Sequence, residues 1–285
     1  MPANVHFMAV DIKGEHKGIS GLNELFRRLH AKHFTAVADL HDVLRTKYLR
    51  ARFIINRYPI QHIDKHRKQR KQLLRHNGEP PAINSQFQNY ADVFRKLGYP
   101  IQFSPPSPSS PLTSSPATNK IGIAPFAAHK GKIYPIEKME NIVRQLSQHP
   151  QTAHIYFFCG KGEETEIVDR WCKQYPNTTN ASKQCGSLEK ELQLMKQLRL
   201  MLSMDSANAH LAATQHIPVV TIWGATHPCA GFKAWQQQNE DCIQADMPCR
   251  PCSIYGNRPC KTNDYACLHQ IKEETIIQHI IRKLS

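Results

Sequence analysis

Apolar residues along this chain recur in two rhythms that take turns. Leu198–Ser203 and Val219–Trp223 are short, nearly unbroken apolar runs, as expected of strands covered on both faces. Between them Asp205, Ser206 and Asn208 crowd a turn with good helix N-caps, and Ala207–His216 reads as a helix closed by Pro218. The same alternation starts at Lys120. Lys120–Ala124 and His154–Phe158 read as strands, Ile136–Leu146, Glu163–Tyr175 and Ser187–Met195 as helices, and Glu273–Leu284 as a closing amphipathic helix. Earlier, strands are expected at Val5–Val10, Phe34–Leu40 and Arg52–Asn56. Helices are expected around Leu22, Leu25, Phe26 and Leu29, and at Val43–Ala51, Gln61–His76 and Asn89–Leu97. The pattern is α/β throughout, with a doubly wound parallel sheet in the second half.

Composition divides the chain. Residues 104–119 are rich in Pro and Ser and nearly uncharged, which marks a linker between a domain at 1–103 and a domain at 120–285. The net charge of +14 is uneven: residues 1–103 carry 18 Lys/Arg against 8 Asp/Glu, the rest 19 against 15. The excess in the first third suits a polyanionic partner: phosphorylated lipid, acidic sugar, anionic membrane or nucleic acid. No apolar run approaches the ~20 residues that span a bilayer. Nine cysteines and no signal peptide point to a reduced, cytoplasmic setting.

Four loops should meet at the carboxyl ends of the second half's strands, where such sheets bind ligands. They are Pro125–Pro135 with Lys130 and Lys132, Gly160–Glu164, Met204–His210 and Gly224–Pro228. Two lysines, two carboxylates, two histidines and a helix N-terminus suit a sugar nucleotide. No Walker loop or GxGxxG is present, which argues against ATPase and dehydrogenase chemistry. Each signal also has a plainer reading: Asp205 as a helix-start residue, His210 as a core histidine, the lysines as solvated charges, Glu163 and Glu164 as helix-dipole partners.

Taken in order, these motifs resemble those of the ADP-heptose:lipopolysaccharide heptosyltransferases of glycosyltransferase family 9. The matching stretches are Asp205-Ser206-Ala207-Asn208-Ala209-His210, Lys132-Ile133-Tyr134-Pro135, Gly160-Lys161-Gly162-Glu163, Gly224-Ala225-Thr226-His227-Pro228 and Cys249-Arg250-Pro251-Cys252. The resemblance implies a GT-B fold, two Rossmann-like domains facing a cleft, and inverting, metal-independent transfer from ADP-heptose or a similar nucleotide sugar. It implies that Lys132 and the amides of Ser206 and Ala207 hold the donor diphosphate, with His210 in support and Thr226 nearby. Asp205 would bond sugar hydroxyls and Glu163 the ribose. Ala207 stands where the family has glycine, which an ordinary φ would accommodate. The family's opening strand–Gly-Asp–helix segment, with its aspartate base, has no counterpart here. About two βα units, roughly 55–65 residues, are expected to be absent, which leaves the first domain incomplete. Asp11, Asp39 and Asp42 are base candidates by default, and helix capping also explains the last two. A chain that binds nucleotide sugar or acceptor without turnover is the alternative.

The stretch Gln61–His76 sets six Lys/Arg against Asp64 alone. Lys65, Arg67, Lys68, Arg70 and Lys71 are expected to bind the phosphates and carboxylates of a glycolipid acceptor, with peripheral contact to the anionic inner membrane. A solvated helix face is the plainer reading. Nucleic acid is not expected as a partner, because neither aromatic-interleaved RNA motifs nor zinc-finger spacing occur. A monomer without cofactor is expected. Cys249, Cys252, Cys260 and Cys267 fall as C-x2-C-x7-C-x6-C, a zinc candidate without standard knuckle spacing; packed free thiols are the competing reading.

Overall fold

The computed structural model describes residues 4–75, 81–103 and 119–285. The described residues divide into two compact units: one takes those up to Lys65 with Gln86–Phe103, the other His66–Ser85 with those from 119 onward. The expected linker, apart from Asn119, and His76 at the end of the expected basic helix lie outside the described residues.

The first unit contains α1 (Gly18–His30), β1 (Val37–Asp39), α2 (Leu44–Ile55) and β2 (Ile60–His62). Strands β1 and β2 form a two-stranded parallel sheet, Val37 opposite Ile60 and Asp39 opposite His62. The strand expected at Val5–Val10 is irregular backbone, with Val5 and Phe7 exposed. Among the described residues β1 and β2 are this unit's strands, and the stretch pairs with neither. The strand expected at Arg52–Asn56 is instead the end of α2. Phe53 turns inward there and meets Phe26 edge-on at 4.9 Å, while Ile54 and Ile55 stay exposed.

The basic stretch Gln61–His76 is not one helix. Its start belongs to β2, and α3 (Arg67–Leu73) is two turns long. Leu73 packs with Ala230 and Ile254, and the Ile83 amide bonds the Cys229 carbonyl, so this segment is built into the second unit. The chain then returns to the first unit as α4 (Gln86–Lys96).

The second unit is a six-stranded sheet, parallel throughout. Its strands are β3 (Lys120–Ala124), β4 (His154–Phe157), β5 (Thr178–Asn180), β6 (Leu200–Met204), β7 (Val219–Trp223) and β8 (Cys242–Gln244). Their order is β5-β4-β3-β6-β7-β8. The helices are α5 (Ile136–Ser147), α6 (Glu163–Gln174), α7 (Ala181–Cys185), α8 (Leu188–Met195), α9 (Ala207–Thr214), α10 (Ala266–His269) and α11 (Glu273–Leu284). Both faces of β6 are buried. Leu200, Leu202 and Met204 enter one apolar cluster with Met139, Ile142, Ile276 and Ile280; Met201 enters another with Met195, Ala209 and Ala212. The order reverses between β3 and β6, the switch point where such sheets bind ligands.

Candidate functional site

The loops after β3 and β6 leave the sheet at that switch point and carry opposite charges. Lys132 Nζ lies 2.9 Å from Asp205 Oδ2. The Thr226 hydroxyl, from the loop after β7, donates to the same oxygen at 2.8 Å. Asp205 and Thr226 are buried and Lys132 is half-buried. Close backbone approach holds the loops together: the Ala225 amide donates to the Gly131 carbonyl at 2.8 Å, and a Cβ on Gly224 would stand 2.6 Å from that same oxygen.

Asp205 directly follows β6 and Ser206 precedes the first residue of α9 in extended conformation, but no side chain caps the helix. The Ser206 hydroxyl turns back to that of Ser203, 3.1 Å away. The first-turn amides of α9 therefore keep their donors and the positive end of the helix dipole for a ligand. Ala207 is absent from the positive-φ residues, so the missing glycine costs no backbone strain here.

Around this point lies a cavity of about 590 Å³. Lys132, Asp205, Ser206, Ala207 and His210 line it, so five of the seven expected donor-site residues share it. Thr226 stands behind Asp205 and does not line the cavity. Glu163 is exposed at the start of α6 and does not reach it. Its neighbour Glu164 does, with its carboxylate accepting the Gly160 amide at 2.6 Å. Adjacent residues on a helix lie about 100° apart, so one of the two faces the cavity. Sequence reasoning also missed an aromatic lining of Phe126, Phe158, Phe232 and Tyr255, residues that read as ordinary core or loop.

Two histidines near the site have lowered pKa values. Burial lowers the His210 pKa, against the pull of Asp205 and with a smaller push from Lys132. Burial, then the Arg250 charge, lowers His227 to about 4, and its Nδ1 accepts the Cys229 amide at 3.1 Å. Arg250 is itself buried and donates to the carbonyls of Trp223, Gly224, Thr226 and Ala245, which fixes the loop that presents Thr226.

The expected acceptor residues separate. Arg67, Lys68 and Lys71 are exposed, whereas the half-buried Lys65 donates to the Asp42 carbonyl at 3.0 Å. Arg70 is a correction: it is buried, donates to the Tyr255 hydroxyl at 2.6 Å and lies over the Phe232 ring, so it does not face an acceptor in solvent. Among the described residues no cluster of three or more His, Cys, Asp or Glu is arranged to hold a metal ion. Cys249, Cys252, Cys260 and Cys267 form no disulfide. Cys249 is exposed, and burial raises Cys267 to about 11. Among the described residues no helix is long and apolar enough to cross a membrane.

A family model described as Glycosyltransferase family 9 (heptosyltransferase) matches residues 22–262. Lipooligosaccharide heptosyltransferase 2 of Campylobacter jejuni is 30% identical over 86 residues, which are 30% of this chain and 26% of that protein. The matched stretch thus spans about a quarter of that relative's length. Among solved structures, a glycosyl transferase family 9 protein from Veillonella parvula aligns with TM-score 0.67 and 21% identity, over 97% of this chain and 81% of its own. The E. coli heptosyltransferase WaaC with ADP aligns with TM-score 0.61 and 16% identity, over 93% of this chain and 77% of its own. At these identities the likeness shows the fold.

Proposed function

The chain belongs to glycosyltransferase family 9, with that family's GT-B type of α/β fold, and from this premise we propose that it transfers a heptose-type sugar from ADP-heptose, or another nucleotide sugar, to a lipopolysaccharide-core acceptor. The observation that carries the reading is the meeting of Lys132, Asp205 and the uncapped start of α9 in one cavity. A diphosphate suits that end of α9, because free amides, a helix dipole and an ammonium group all favour anionic oxygen. The same groups meet the charge that develops on the leaving nucleotide, the task a divalent cation performs elsewhere. Asp205 spends Oδ2 on Lys132 and Thr226, and its other oxygen suits a sugar hydroxyl. Glu164, rather than Glu163, is the carboxylate for the ribose. Inversion follows if one acceptor hydroxyl displaces the nucleotide from the opposite face of the sugar. The exposed cations Arg67, Lys68 and Lys71 suit an acidic glycolipid. We place the protein in the cytoplasm as a monomer that rests on the inner membrane and needs neither metal nor cofactor.

A second reading, binding without turnover, is favoured by the first unit. Asp11 accepts the Lys13 and Gly14 amides, Asp39 accepts those of His41 and Asp42, and Asp42 pairs with Arg50 at 3.0 Å. Each default base candidate is thus already engaged in local structure. Calorimetry with ADP tests the donor site for an adenosine diphosphate sugar, and absence of binding would remove ADP-heptose as the donor. Consumption of ADP-heptose with a Kdo-lipid acceptor then separates the two readings, since only the first predicts turnover.

A further inference from the structure

One wall of the cavity is braced from behind by a buried cation. Arg70, 8% exposed, donates from its guanidinium to the Tyr255 hydroxyl at 2.6 Å. Its central carbon lies 4.8 Å from the Phe232 ring centre and 5.6 Å from that of Tyr255. The two rings stand 5.7 Å apart, and both line the cavity. Tyr255 is 49% exposed, so its own packing does not fix its rotamer. A charge-assisted bond together with a cation over each ring does. Arg70 lies on α3, 185 residues before the tyrosine it holds.

Sheet order says which end of a donor this wall meets. Strands β4 and β7 flank the β3–β6 pair on opposite sides. Lys132 and α9 follow β3 and β6, so a diphosphate lies over the middle. Glu164 follows β4, whereas Phe232 follows β7, as does the Thr226 that holds Asp205, and Tyr255 follows β8, which lies beyond β7 on the same side. With Glu164 as the carboxylate for the ribose, as proposed above, the nucleoside extends toward Glu164, and the transferred group toward Asp205 and the two rings. Aromatic faces suit the apolar C–H face of a sugar ring, with the hydroxyls left to the carboxylate.

We propose that Arg70 is a positioning residue that fixes Tyr255 against the sugar of the donor, so that this pair governs recognition of the transferred group and not of the nucleotide. The proposal rests on the donor-site reading above. The competing account makes Arg70 a staple that fastens α3 beside Leu73, with no preference among ligands.

The test compares ADP with ADP-heptose by calorimetry on the full chain and on Tyr255→Phe, Arg70→Met and Arg70→Lys. Tyr255→Phe removes one hydroxyl and leaves the ring, so it should stay folded, with a melting temperature modestly below the wild type because the buried Arg70 loses an acceptor. Expected is an ADP affinity within about 2-fold of wild type in every folded variant. ADP-heptose affinity should fall roughly 5–10-fold in Tyr255→Phe and Arg70→Met, and less in Arg70→Lys, which keeps the charge. Equal losses for both ligands, or unchanged ADP-heptose binding in folded Tyr255→Phe, would overturn the proposal and leave the donor site standing. A wild-type chain that binds neither ligand would overturn the donor site and the proposal with it.

Discussion

Lys132 and Asp205 form an ion pair at 2.9 Å in the donor site proposed above. Replacing either with alanine removes a charge-assisted contact worth about 1.5–3 kcal/mol. Lys132→Ala and Asp205→Ala should each weaken donor use by about tenfold or more in steady-state kinetics. Unchanged kinetics in both would reject the donor site. Gly256 gives a subtler probe of the same lysine. Its φ is +78°, and a Cβ there would fall 2.4 Å from the Lys132 side chain. Gly256→Ala should push the ammonium off its post and weaken ADP binding roughly 3–10-fold, as measured by calorimetry. The sequence announced Lys132, Asp205 and Ser206 through their place after successive strands. It could not say which of Glu163 and Glu164 faces inward, because that depends on where α6 starts. Nor could it show that Arg70 is buried, because its partners Phe232 and Tyr255 are remote in the chain. The histidines add a pH dependence. The folded pKa of His227, about 4, lies below its ordinary 6.5, so protonation favours the unfolded chain between those values. Stability present above pH 6.5 should decline as pH falls toward 4, with His210 acting in the same direction. Melting temperature followed across that window should be flatter in His227→Gln than in wild type.

Helices and strands whose burial follows from local pattern were legible, and those fixed by distant partners were not. β6, α9 and β7 stand almost where their apolar runs put them, because a strand buried on both faces leaves an unbroken apolar signature. The edge strands β5 and β8 carry only three residues each, rich in Thr, Asn, Cys and Gln, and left no such mark. The end of α2 looked like a strand because Phe53, Ile54 and Ile55 are bulky and apolar. Its helical state is set by Phe53 reaching Phe26 on α1. The closing helix α11 shows both kinds of information. Its stripe of Ile276, Ile280 and Leu284 was readable, but the anchoring of His279 and Lys283 on Asp241, at 2.8 and 2.7 Å, was not. Ile280 has no exposed surface, so Ile280→Ala should cost about 2–5 kcal/mol in a denaturant melt, as cavity-forming substitutions do.

At the scale of the whole molecule the two units differ in how well they cover their apolar surface. Of the 14 large hydrophobic residues exposed among the described residues, 12 lie in the first unit, and Leu188 and Tyr255 are the exceptions. That unit also rests on a parallel sheet of two three-residue strands, whereas parallel sheets are ordinarily buried under helices on both faces. The second unit has six strands with both faces of its central strands buried. Local stability should follow this difference, because amide protection tracks buried apolar contact and shielded backbone hydrogen bonds. In native-state hydrogen exchange, the Val37 and Ile63 amides, which bond the Pro59 and Asp39 carbonyls, should exchange faster than the amides of β3 and β6 by on the order of 100-fold or more. Equal protection would mean that the apolar residues counted here as exposed are covered in solution, and that the first unit has a share of core that its two strands alone do not supply.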